Sequence, residues 1–149
     1  MQPPLTECAR KTLDQAQAEA RSLNQEFVGT EHLLLALLKA QSCHASRLMR
    51  AQHVDRDAVR SALLAVLPYS ENPPVVSGNL PMSPKAQRAI NAAIVMARSL
   101  REPKVSTRVL LLALMEEQGT PFISALREAG VDVESLLKAL AEKPHDEEA

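Results

Sequence analysis

Aromatic residues are nearly missing: Phe27, Tyr69 and Phe122 are the only three among 149 residues, and tryptophan is absent. The core has to come from Leu, Ala, Val, Ile and Met, since hydrophobic content still reaches 46%. Such a composition suits helices whose Ala faces approach closely. Only four glycines are present and no G-x-x-x-x-G-K-[ST] phosphate loop occurs, so nucleotide hydrolysis finds no support. No apolar run is long enough to span a bilayer, and the start, MQPPLTECAR, lacks the basic and apolar regions of a signal peptide, so a cytoplasmic protein is expected. Two cysteines, Cys8 and Cys43, are too few for a disulfide framework and are expected to be reduced. Charge of neither sign dominates: 17 basic against 18 acidic residues give a net −1, which favours neither nucleic acid nor an anionic membrane.

What is present is a duplicated pattern. Thr30 is followed by Glu31 and His32 and then by six apolar residues, Leu33–Leu38, a stretch that reads as a helix apolar on every face and therefore central to a core. Val105–Met115, VSTRVLLLALM, repeats Val28–Leu38 at an offset of 77 (105 minus 28). The same offset relates Arg21-Ser22-Leu23 to Arg98-Ser99-Leu100 and Val54-Asp55 to Val131-Asp132. Duplication with an uncoverable apolar second helix in each copy predicts two copies packed face to face.

In chain order, Thr6 caps a first helix reaching Leu23, with Ala9, Leu13, Ala16 and Ala20 on one stripe. Phe27 and Val28 are expected to tuck inward before Thr30 caps the central helix. A short helix from about His44 to Ala51 follows, then one capped by Asp55, with Val54 stapling onto Val59. Ser83 with Pro84 opens the second copy, Thr107 its central helix and Pro121 its short third helix. The expected organisation is all-α, eight helices in two pseudo-twofold-related four-helix repeats: 1–66, a Pro-rich linker over 67–82, 83–141, and a disordered acidic tail over 142–149.

Tandem units of this kind, with FVGTEHLLLALL at Phe27–Leu38 and an L-T-E-x-A start at Leu5, resemble the N-terminal domain of the Clp family of AAA-plus unfoldases over about residues 4–142. The second copy departs from the pattern, with VSTR where the family often repeats GTEH. The resemblance implies a domain that receives substrates or adaptor proteins, here without an ATPase module; a free-standing protein is favoured over a fragment of a longer unfoldase.

Some relatives bind phosphorylated arginine in each copy, a carboxylate meeting the guanidinium while a hydroxyl and a helix N-terminus take the phosphate. By resemblance the ligand-binding positions are Thr6 and Glu31 in the first copy, Ser83 and Arg108 in the second. Arg108 reverses the required charge, so the second site should be lost for that ligand. Each residue also has a plain structural role: Thr6 and Ser83 are good caps, and Glu31 suits the positive end of its helix. Arg98, Arg101, Lys104 and Arg108 form a basic cluster that could receive an acidic segment or simply be a solvated loop.

No catalytic or metal centre is expected. Glu31 and His32 are adjacent on a helix and diverge by about 100°. Cys43 and His44 are adjacent too, and with His32 they make no recognised metal-ligand spacing. The reading is a non-catalytic, monomeric protein-binding domain without cofactors. It would recruit substrates or adaptors to a Clp unfoldase-protease or compete for them. Alternatives are a regulator or assembly factor that binds the Clp ring or protease directly, and a phosphoarginine sensor working through the first repeat.

Overall fold

The computed structural model describes residues 4–67, 78–116, 121–144, 146 and 148, so 68–77 of the expected linker over 67–82 lies outside the described residues. Among these residues eight helices follow in order: α1 (Glu7–Ser22), α2 (Thr30–Lys39), α3 (His44–Ala51), α4 (Arg56–Val66), α5 (Pro84–Ser99), α6 (Thr107–Glu116), α7 (Pro121–Glu128) and α8 (Val133–Ala141). Their starts follow from side-chain chemistry. Thr6, Asp55, Ser83 and Asp132 accept from the backbone N–H three residues on, at Ala9, Ala58, Ala86 and Ser135, with Pro84 in the first turn of α5.

The cap of α2 differs from expectation: Gly29, not Thr30, occupies it. His32 then takes the reciprocal part usually played by Glu or Gln, its Nδ1 accepting from the Gly29 N–H at 2.8 Å. This holds the imidazole inside the fold, and burial pushes its pKa below the ordinary value against the opposing fields of Glu31 and Glu19. At α6 the corresponding cap is Ser106, whose Oγ accepts from Val109 N–H at 3.3 Å.

α2 and α6 form the centre: Leu33–Leu38 and Thr107–Met115 are buried, as the unbroken apolar runs require. α1 and α5 cover them with Ala16 and Ala20 on one side and Ala86, Ala89, Ala93 and Ala97 on the other, all with no exposed surface. The pseudo-twofold relation extends to the backbone. Leu5 bridges Val105 and Val28 bridges Met82, pairs related by the 77-residue offset. Asn24 and Arg101, and likewise His53 and Gly130, take the same left-handed conformation at helix ends.

The copies are more than apposed. α3 packs on α6 and α7 on α2, while α4 meets α7 and α8 meets α3. The third helix of each copy thus completes the other copy's core, and neither four-helix unit closes by itself. Three further differences concern individual side chains. Phe27 is 52% exposed although Val28 is buried, because only Val28 joins the bridge to Met82. Cys8 and Cys43 form a disulfide with a Cα–Cα distance of 5.9 Å, where a reduced pair is expected. Asp146 and Glu148, in the stretch expected to be disordered, are held against the body by hydrogen bonds.

A candidate peptide-binding site built across the repeats

The ends of the central helices meet the starts of the outer helices of the opposite copy. Thr6 N–H donates to the Val105 carbonyl at 3.0 Å and Val105 N–H to the Pro4 carbonyl at 2.8 Å. At the equivalent place Ser83 N–H donates to the Val28 carbonyl at 2.8 Å and Val28 N–H to the Pro81 carbonyl at 2.9 Å. Thr6 therefore sits beside the start of α6, and Ser83 beside the start of α2. The expected grouping of Thr6 with Glu31 does not form: α1, with its 16 residues, is about 24 Å long and places them at opposite ends. The structure instead pairs positions Thr6 with Arg108 and Ser83 with Glu31, one from each repeat.

At the Ser83 end, the Glu31 carboxylate folds back over Gly29, where a Cβ would lie 2.8 Å from its Oε2, and accepts from the Thr30 hydroxyl at 3.1 Å. A bulkier residue at 29 would displace the carboxylate. Glycine leaves it room at the helix N-terminus, where its charge is favoured.

At the Thr6 end, Arg108 offers no free charge. It is 1% exposed, paired with Glu102, and donates to the Leu140 carbonyl at 2.6 Å, satisfying an acceptor at the end of α8. Its role there is to clamp α6 to α8. Beside it opens a cavity of about 260 Å3 lined in part by Thr6, His44, Lys104, Lys143, Asp146 and Glu148. The Glu148 carboxylate occupies the junction of three helix starts. One oxygen accepts from Thr6 Oγ1 at 2.6 Å and Thr107 N–H at 2.8 Å, and the other from His44 N–H at 2.8 Å and the Thr107 hydroxyl. Asp146 accepts from Arg47 at 2.9 Å, which holds its carboxyl below the ordinary carboxylate pKa. Its Oδ1 lies 3.5 Å from His44 Nε2.

His44, Thr107, Asp146 and Glu148 are absent from the sequence-based list. Thr107 has the signal of a helix start, but nothing in the pattern brings residue 148 to it. The metal grouping of His32 with Cys43 and His44 does not assemble, because α2 separates His32 from the other two. The three ligand atoms that do gather, on Cys8, Cys43 and Glu148, lie within 4.8 Å of one another, but the disulfide removes both thiolates.

The chain forms an all-α fold of two interlocked helical repeats, with polar groups gathered where they join. The chain belongs to the family described as the Clp repeat (R) N-terminal domain, which it matches over residues 4–129 and again over 81–147. It is 33% identical over 113 residues to the ATP-dependent Clp protease ATP-binding subunit ClpC of Staphylococcus aureus, a match covering 76% of this chain and 13% of that protein. The chain thus spans about an eighth of the length of that relative. Its fold is similar to the Hsp104 N-terminal domain from Candida albicans, with a TM-score of 0.78 and 20% identity over 93% of this chain and 90% of that one. It is also similar to a ClpV N-domain solved in complex with a VipB peptide, with a TM-score of 0.68 and 18% identity over 93% and 90% of the two chains. Among the described residues no helix is long and apolar enough to cross a membrane.

Proposed function

We propose that this chain is a non-catalytic protein-binding module that recruits substrates or adaptors to a Clp unfoldase-protease, or competes with it for them. The observation that carries the reading is the Thr6 end itself, where hydroxyls and helix-start amides from both repeats hold the Glu148 carboxylate. A related fold that holds a VipB peptide supports the same use. The location that goes with it is the cytoplasm and the working form a monomer; in that compartment the Cys8–Cys43 bond is open to reduction.

Quantitative capture from soluble lysate, with wild-type protein beside a Glu31→Ala variant of verified helical content, tests the reading. Recovery of varied clients or of an adaptor supports it. Recovery of only a Clp ring or protease subunit at constant ratio, unaffected by Glu31→Ala, replaces it with a regulator of the machine.

A second reading rests on Glu31, whose carboxylate lies over Gly29 at the start of α2, near the Ser83 junction; a carboxylate there would pair with a guanidinium. It assigns phosphoarginine recognition to that end alone, since Arg108 replaces the carboxylate at the other. Calorimetric titration with free phosphoarginine should give one site per chain, lost in Glu31→Ala. No heat with wild-type protein, or two sites, contradicts it.

A further inference from the structure

Resting on the peptide-binding reading, we propose that the Thr6 end is a receptor for an acidic segment and that the chain fills it with its own Asp146 and Glu148, so that partner binding there requires their displacement. Four hydrogen bonds converge on the Glu148 carboxylate, one from the α1 cap, one from the first amide of α3 and two from Thr107 at the start of α6. Three positive helix ends directed at one point stabilise an anion and leave buried N–H groups unpaired when it departs.

A second observation marks the cleft as made for more than one carboxylate. His44 is 4% exposed, lines the same cavity, and neither ring nitrogen has a hydrogen-bond partner among the described residues; its Nε2 faces Asp146 at 3.5 Å. Other titratable and charged groups facing the cavity are Lys104 and Lys143, together with the internally paired Glu102 and Arg108. Two carboxylates from one short acidic segment occupy the two stations, Glu148 among the three helix starts and Asp146 beside Arg47 and His44. The occupant is thus an acidic peptide, and the tail holds the place at the high effective concentration of a tethered ligand.

The test uses the full chain and a fluorescein-labelled peptide of sequence EKPHDEEA, read by anisotropy. Wild-type protein should bind it weakly and Glu148→Ala at least tenfold more tightly, while a peptide with Gln and Asn in place of its acidic residues binds neither. The amide resonances of His44 and Thr107 should move in Glu148→Ala and return toward their wild-type positions on saturation with the acidic peptide. Equal affinity for wild type and Glu148→Ala, no binding to Glu148→Ala, or amides that the peptide leaves unmoved overturns the proposal. Client capture dependent on Glu31 is measured separately, so failure of the tail mechanism is distinguishable from failure of the binding-module reading.

Discussion

His53 stands at φ 57°, at the end of α3, in the position where the second repeat has Gly130 at φ 83°. In both repeats the turn is closed by the same bonds, Val54 N–H to the Met49 carbonyl and Val131 N–H to the Leu126 carbonyl. A side chain with a Cβ costs about 1 kcal/mol or more in that conformation. His53→Gly should therefore raise stability by about 1 kcal/mol, less the added backbone entropy of glycine in the unfolded chain. Urea unfolding measures it, and an unchanged or lower midpoint counts against the strain. At His32 the effect concerns pH. Its folded pKa is depressed, so the unfolded chain binds the proton more readily. The stability from the neutral ring is complete above the free imidazole pKa of about 6.5 and is lost as pH falls toward the lower folded value. His32→Asn, which retains an acceptor for the Gly29 amide, should show a flatter stability profile between pH 7 and 5. A profile parallel to wild type would place the dependence elsewhere.

Among elements, the central helices and most helix starts are legible in the sequence because their causes are local. Thr6, Asp55, Ser83 and Asp132 each announce a cap, and Leu33–Leu38 with Leu110–Met115 announces burial on all sides. Phe27 is misplaced because its neighbour Val28 carries the same apolar signal, and only the bridge to Met82 decides which turns inward. The disulfide is illegible for a different reason: a separation of 35 residues contains no geometry, and only the antiparallel run of α1 and α2 brings Cys43 back to Cys8. Closing a loop of that size lowers the entropy of the unfolded chain and is worth about 3–4 kcal/mol. Reduction should lower the unfolding free energy by about that amount while the helical spectrum persists, as urea unfolding with and without dithiothreitol will show. An identical midpoint in the two conditions contradicts this assignment.

For the whole molecule, the offset of 77 residues establishes duplication but is silent on how the copies interlock. A repeat that closes on itself and one that lends its third helix to its twin have the same sequence signature. Part of the site depends on that choice: the exchange brings the start of α3 to α6, where Ala45 N–H donates to the Thr107 hydroxyl at 3.0 Å and His44 N–H reaches Glu148. Thr6 meets Val105 and Ser83 meets Val28 through the bridges between repeats. Glu148 is missed because acidic composition predicts solvation, whereas its partners include backbone amides that carry no sequence signal. Exchange also makes a folding prediction. Residues 1–77 and 78–149 expressed separately should each lack a cooperative thermal transition, since α2 loses α7 and α6 loses α3. Mixing them should restore helical ellipticity, and cooperative unfolding of either half alone would contradict the exchanged core.

On the proposed reading, partners are received at the junctions between repeats. Hydrogen–deuterium exchange of the full chain, alone and saturated with the partner that capture identifies, tests it most directly. New protection should appear in backbone amides around Val28–Glu31 with Ser83, or around Thr6, His44 and Thr107. Protection confined to α4 and α7, with both junctions unchanged, would contradict it.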